Sequence, residues 1–423
     1  MLQRLGSITI VAIWTVSSVC FAEPGDPKSE SKQYLYPSIS GTVLRPEEPP
    51  GIELTDRGRN IRGVYAPVSK LVKWQPRQLI SWVKEIGADA IIMDIKDDKG
   101  RVTYSHKIEG ALGKPHGIVP KMKRLVKALK ENDIYVIGRL VCFKDDLYHK
   151  KRPEASIRDR RDGTVWRDRA GMAWLDPFSL AAHEYITNIA IGAEEIGFDE
   201  IQLDYVRFPV DGLSRYARFP NKEKGMARYE AIALLLARVD VALKLPLSID
   251  VFGLTAHRTG DKQGLGQSLE HLSPYIDAIS PMLYVANWPK ETYEDPDPKK
   301  NYSLVHGSVK RIRSRLSDTV AVRPLLQGFS YRATNFGVEF ISNQIDAAKT
   351  AGASGYLFWN QSGNYTTVSV SWRRLGIRSR TEEIAQEKSN EGHESAEMEQ
   401  EINEECIETA ESDTEIEVAA NTP

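Results

Sequence analysis

Glu200-Ile201-Gln202-Leu203-Asp204-Tyr205-Val206-Arg207 is the stretch whose reading decides the fold. Side chains of a strand alternate between two faces. Ile201, Leu203 and Tyr205 share one face, and Gln202 and Asp204 share the other. On either side, further apolar runs read as strands: Ile61–Val68, Ala90–Ile95, Ile134–Cys142, Leu247–Phe252, Ala278–Tyr284, Val320–Phe329 and Gly355–Trp359. Helical stretches fall between most of them: Pro76–Ile86, Lys121–Asn132, His183–Ile196, Met226–Leu243, Ser303–Leu316 and Val338–Ala351. Gly87, Asn132, Gly197 and Gly352 follow the last apolar turns as stop signals, and Pro76 and Pro120 stand at helix starts. The first strand ends in Val64-Tyr65-Ala66-Pro67-Val68, without the glycine fingerprint of a dinucleotide-binding sheet. Eight strands alternating with helices over about 300 residues predict an α/β protein, a (β/α)8 TIM barrel.

In a barrel one strand face meets the helices and the other meets the interior. The polar set of the quoted stretch therefore looks inward, with Asp204 near the C-terminal end, where barrel enzymes place their chemistry. Ser248 and Asp250 alternate with Ile249 and Val251 in the same way. Asp94 and Lys96 alternate with Met93 and Ile95, Arg139 ends an apolar third strand, and Gln327 sits late in the seventh. Charges in a strand interior are costly to bury alone. Several converging at one end can pair, and they mark a candidate site. Lys96 is placed to neutralise Asp94. The aromatics Tyr65, Tyr205, Tyr284, Trp288 and Trp359 cluster at the same strand ends and offer flat faces to sugar rings. Gly355-Tyr356-Leu357-Phe358-Trp359-Asn360 ends the last strand with both Trp and Asn, the make-up of a sugar subsite.

The chain of 423 residues carries 56 Lys and Arg against 58 Asp and Glu, and 41% of it is hydrophobic. A net charge of −2 points to neither nucleic acid nor an anionic membrane as partner. Fifteen acidic residues follow Thr381, so the body is basic by about a dozen charges. That Glu-rich tail, 379–423, is expected to be disordered. At the other end Arg4, the apolar run Ile8–Val19 and Cys20-Phe21-Ala22 read as a signal peptide over 1–22. Residues 23–58 read as a linker, and 59–378 as the barrel. A periplasmic or secreted location follows, with no stable membrane insertion after cleavage. Cleavage leaves Cys142 and Cys406, too few for a disulfide framework. The eight His are scattered, so neither a metal site nor a cofactor is expected.

Gly63-Val64-Tyr65, Met93-Asp94-Ile95-Lys96-Asp97-Asp98, Gly197 to Pro209, Asp250-Val251-Phe252-Gly253 and Ser280-Pro281-Met282-Leu283-Tyr284 together resemble a family of bacterial glycoside hydrolases with a barrel domain. The resemblance runs from about residue 60 to 375. Trp174-Leu175-Asp176-Pro177 also resembles a stretch found before the third helix in related barrel hydrolases. The resemblance implies a catalytic carboxylate at Asp204 and a second at Asp250. The fourth-strand pattern is similar to that of alpha-amylase-type barrels, whose nucleophile is that Asp. Those enzymes carry Arg two residues before it, where this chain has Gln202, and Glu on the fifth strand, where it has Asp250.

The leading expectation is hydrolysis or transfer of a glycosidic bond in a polysaccharide or oligosaccharide. Asp204 would be nucleophile or base and Asp250 the acid. Tyr65, Asp94, Lys96, Arg139, Arg207, Tyr284, Gln327, Trp359 and Asn360 are the candidate substrate-binding residues. The alternative is a barrel that binds polysaccharide without cleaving it, in export or cell-wall assembly. A metal-dependent deacetylase would need His ligands beside an Asp, a spacing the chain lacks. Retaining and inverting outcomes both stay open.

Overall fold

The computed structural model describes residues 54–108, 118–210, 213–290 and 298–377. The expected signal peptide, the acidic tail and all but the last few linker residues lie outside them.

Eight parallel strands close into a barrel. They are β1 Arg62–Ala66, β2 Ala90–Lys96, β3 Tyr135–Val141, β4 Glu200–Asp204, β5 Leu247–Phe252, β6 Ala278–Met282, β7 in two pieces (Ala321–Val322 and Leu325–Gln327), and β8 Tyr356–Trp359. Each pairs in parallel with the next, and β8 returns to β1 through Arg62↔Tyr356 and Val64↔Phe358. The helices between them are α1 Pro76–Ile86, α2 Met122–Lys130, α3 Leu180–Ile196, α4 Arg228–Ala242, a single turn α5 Leu269–Leu272, α6 Pro298–Arg313, α7 Val338–Thr350 and α8 Thr366–Arg374. The α8 helix, with four β-branched residues and two serines in nine, carries no clear apolar period and was not foreseen.

The two strand faces bury different things. Outward residues such as Ile91, Met93, Ile201, Leu203, Ile249 and Val251 pack on the helices in one continuous core. Inward residues Ile61, Ile92, Ile137, Leu325 and Leu357 fill the barrel with Tyr65, Tyr135 and Tyr284. Local signals set the element ends. Pro76 opens α1, with Gln75 and Gln78 capping it, and Gly87 at φ 90° ends it. Gly197 ends α3 at φ 103°. The α2 helix departs from expectation, because Asp133 at φ 56° makes the left-handed turn and Asn132 instead bonds back to Ala128 O at 2.9 Å.

A device recurs at the base of the even strands. Asp89, Asp199 and Asp277 each stand just before β2, β4 and β6 and accept the N–H of Arg62, Val136 and Leu247 on the preceding strand, at 2.6–2.8 Å. Ser354, before β8, takes the N–H of Val322 at 3.4 Å. Beneath the barrel the short helix Asp56–Arg59 and buried Leu54 form a floor, so these last linker residues are packed against the domain. Arg323, wholly buried, donates to Gly58 O at 2.7 Å and to both oxygens of buried Glu200. Tyr135 and Ser248 complete the bonding of Glu200.

Candidate active site

Parallel strands put every C-terminal end on one face, and the eight strands deliver one functional side chain each there. Moving round from β1 these are Tyr65, Asp94, Arg139, Asp204, Asp250, Tyr284 just beyond β6, Gln327 and Trp359. Carboxylates and the arginine occupy β2 to β5, aromatics occupy β6, β8 and β1, and Gln327 occupies β7.

Arg139 is the hub of the charged half. It donates through Nη1 to Asp94 Oδ1 at 2.6 Å, and through Nε and Nη2 to Asp204 Oδ2 at 3.0 and 2.5 Å. All three residues are buried. Tyr65 Oη donates to the other oxygen of Asp94 at 2.7 Å. Burial pushes the Asp94 carboxyl up, against the pull of Arg139 and Tyr65. The arginine that serves Asp204 thus comes from β3, level with Gln202 in register. Gln202 itself donates to Ser280 Oγ at 3.2 Å. Asp204 Oδ1 accepts the N–H of Tyr205 at 2.5 Å. Just beyond the strand, Tyr205 sits at φ 49°, a left-handed conformation that costs a tyrosine about 1–2 kcal/mol.

Asp250 lies beside this group in a different setting. β4 and β5 pair with Leu203 opposite Ile249, so Asp204 and Asp250 rise side by side on one level. Strands lie roughly 4.8 Å apart. Asp250 is 1% exposed, and its Oδ1 has no partner among the described residues. Burial and then the charge of Asp204 push its carboxyl well above the usual range, and Arg139 and Arg323 only partly oppose them. Both effects push Asp250 toward its protonated form, beside a carboxylate that accepts three N–H bonds.

The aromatic half is continuous. Tyr65 stacks on Trp359 with centroids 3.9 Å apart, and the Arg139 guanidinium lies 4.8 Å from the Trp359 ring. Tyr284 meets Phe329 edge-on at 5.7 Å. Burial, with Asp250 and Asp204 nearby, raises the Tyr284 phenol well above its ordinary value. Tyr365 Oη holds the first and last strands together, 3.0 Å from Tyr65 O and 3.1 Å from Phe358 O.

The structure thus brings Tyr65, Asp94, Arg139, Asp204, Asp250, Tyr284 and Trp359 together. Four other candidates are engaged in other contacts. A bulge between Asp94 and Lys96 turns Lys96 out of the interior, where it pairs with buried Asp145 at 3.0 Å and donates to Val141 O at 2.6 Å. It does not neutralise Asp94. Gln327 spends its amide on Ala286 N, Phe329 O and Tyr331 O. Asn360 spends its own on Gly328 O, Asn364 O and Ser362. Both shape loops at the mouth. Arg207 lies against Phe252, Trp174 and Tyr205, 4.5–5.1 Å from their rings, and donates to Phe208 O at 3.1 Å. Phe329 and Tyr365 went unnoticed in the sequence, since nothing in their neighbours signals a role at the mouth. Among the described residues no group of three or more His, Cys, Asp or Glu is placed to hold a metal ion, and no helix is long and apolar enough to cross a membrane.

No curated protein matches the chain. A hypothetical protein from Ruminiclostridium thermocellum ATCC 27405 is 32% identical over 44% of this chain and 97% of its own, with a TM-score of 0.39. The PgaB (BpsB) glycoside hydrolase domain from Bordetella bronchiseptica is 14% identical over 76% of this chain and 99% of its own, with a TM-score of 0.54. It shares the barrel fold. The catalytic domain of a beta-amylase from Paenibacillus polymyxa is 12% identical over 75% and 98%, with a TM-score of 0.48. The family described as "putative glycosyl hydrolase domain" matches residues 63–365. That match runs from the start of β1 to the tyrosine that ties β8 to it, and by it the chain belongs to this glycosyl hydrolase family and is a glycosidase by class.

Proposed function

We propose that this chain is an exported glycosidase that cleaves a polysaccharide or oligosaccharide with two carboxylates, Asp250 as acid and Asp204 as nucleophile or base. The observation that carries the reading is the unequal pair itself. Asp250 is buried, has a carboxyl pushed up by burial and by Asp204, and has a free Oδ1, while its neighbour Asp204 accepts three N–H bonds. Glycoside hydrolysis needs that division between two carboxyls. The Asp250 proton passes to the glycosidic oxygen as the bond to the anomeric carbon breaks. Asp204 meets the positive charge growing at that carbon, either by attacking it or by taking a proton from the attacking water. Arg139 holds Asp204 in place and is itself held by Asp94 and Tyr65. Tyr284, Trp359 and Tyr65 are the apolar faces on which the sugar lies. The N-terminal segment would carry the domain to the periplasm or out of the cell, where polysaccharide is at hand.

The test is a screen of the purified chain against polysaccharides from the producing organism, with Asp204→Asn beside it. Turnover by the parent and a loss of at least about 10³-fold in the variant, with an unchanged circular dichroism spectrum, is the expected result. Tight binding without turnover by the parent would return the chain to the non-catalytic, polysaccharide-binding reading.

A further inference from the structure

The aromatic side of the mouth continues outward along a segment that the paired carboxylates do not need. Gln327, wholly buried at the end of β7, sends its two amide hydrogens to Phe329 O at 3.0 Å and Tyr331 O at 2.9 Å. Its Oε1 accepts Ala286 N at 3.0 Å, and the Gln344 side chain grips its backbone on both sides, at 2.9 and 3.1 Å. Gly328 is tied to β8 through Trp359 O at 3.0 Å and through the Asn360 amide at 2.6 Å. Further on, Ala333 N–H closes on Ser330 O at 3.2 Å, and Arg332 takes φ 49°. A non-glycine residue holds that left-handed conformation only where its surroundings demand it.

The product of this bracing is a fixed turn with two aromatic faces. Phe329 looks in, toward Tyr284 at 5.7 Å. Tyr331 looks out, 65% exposed, more than any other large hydrophobic side chain among the described residues. An aromatic side chain left in water forgoes about 2 kcal/mol of burial. The Arg332 guanidinium lies 5.2 Å from the Tyr331 ring, and fold stability does not account for the rest of its exposure.

We propose that Tyr331 is the platform of an outer subsite, on which a pyranose ring of a long sugar chain stacks while another unit of that chain lies at Asp204 and Asp250. The inference rests on the glycosidase reading and extends it to a substrate class: sugar chains of several units. The two residues from Phe329 to Tyr331 span at most about 7 Å, so the platform lies just outside the mouth. On this proposal mono- and disaccharides held at the carboxylates stop short of it. Gln327 and Asn360 serve this subsite as positioning residues, through the turn that they hold.

The experiment uses the full chain carrying Asp204→Asn, so that bound sugar stays intact, on an array of defined oligosaccharides one to eight units long. Tyr331→Ala and Tyr331→Phe are compared in that background. The expected result is binding of the longer glycans weakened about tenfold by Tyr331→Ala, with binding of mono- and disaccharides unmoved. Tyr331→Phe should retain the affinity, because the ring face and not the hydroxyl makes the contact. Unfolding midpoints should agree across the three chains. Long-glycan binding indifferent to Tyr331→Ala would overturn the inference, as would an equal loss for short and long glycans. If the Asp204→Asn chain retained no glycan at all, the glycosidase reading beneath it would fall as well.

Discussion

Asp250 and Lys96 are both buried, ionisable and close to the end of a strand, and their surroundings assign them opposite work. Asp250 has an oxygen with no partner and a carboxyl held above the usual range by burial and by Asp204. A raised acid is protonated below its pKa and spent above it. As the proposed acid, Asp250 should contribute to kcat/KM at low pH and lose that contribution as pH rises through the raised value. Asp250→Asn should remove that alkaline limb from the pH–rate profile. It should also cost far less on aryl glycosides with good leaving groups than on native sugar linkages. A limb that survives the substitution would place the acid elsewhere. Lys96 has every reason to be structural: its ammonium meets Asp145 and three backbone carbonyls. Lys96→Met leaves Asp145 buried and unpaired and should cost about 3–5 kcal/mol in a denaturant titration. KM measured well below the melting temperature should stay within about twofold. A large rise in KM at unchanged stability would restore Lys96 to the substrate site.

At the scale of elements, the aspartates before β2, β4 and β6 align each even strand with its odd neighbour by capping a strand-end N–H. Asp277 shows what this costs. Burial pushes its carboxyl up to about 6, with the Leu247 N–H pulling the other way and Glu200 adding to the rise. Its folded pKa then exceeds the unfolded value of about 3.9. The native state binds that proton more tightly, so this group adds stability as pH falls through 6 and subtracts it above. Asparagine keeps an acceptor for Leu247 N–H without the charge. Asp277→Asn should therefore be the more stable chain at pH 8, with its advantage over the parent shrinking toward pH 4. Urea midpoints across that range decide the matter. An equal loss at every pH would mean that the charged acceptor is what holds β5.

Across the whole molecule, the barrel has a mouth for chemistry and a floor for stability. The floor is Leu54 and the helix Asp56–Arg59, joined through Gly58 O to Arg323 and by it to Glu200 in the barrel interior. A chain starting at residue 61 should melt at least about 5 °C below one starting at residue 54, because it exposes the leucine's site and strips an acceptor from a buried guanidinium. Both should show the same KM, since the floor lies at the opposite strand ends from Asp204. Equal melting temperatures would show that the floor is dispensable.

Sequence alone determined the barrel, and the reason is periodicity. A strand buried on two unlike faces must alternate, so Gln202, Asp204, Ser248, Asp250 and Asp94 announced an interior that admits polar groups. Helix stops at Gly87 and Gly197 then set the spacing of the strands. The same alternation carried Asp94, Asp204 and Asp250 to one end with Arg139. It failed at Lys96, where one bulged residue reverses the face, and a bulge leaves no mark in the order Asp94-Ile95-Lys96. Gln327 and Asn360 were found at the mouth, but their use was not. A side-chain amide is available or spent according to which carbonyls the loops bring to it, and Phe329, Tyr331, Ser362 and Asn364 come to them only in the folded chain. Tertiary structure alone decided what surrounds each carboxyl: three N–H donors around Asp204, and burial beside Asp204 with an unpartnered oxygen at Asp250, which pushes that carboxyl up.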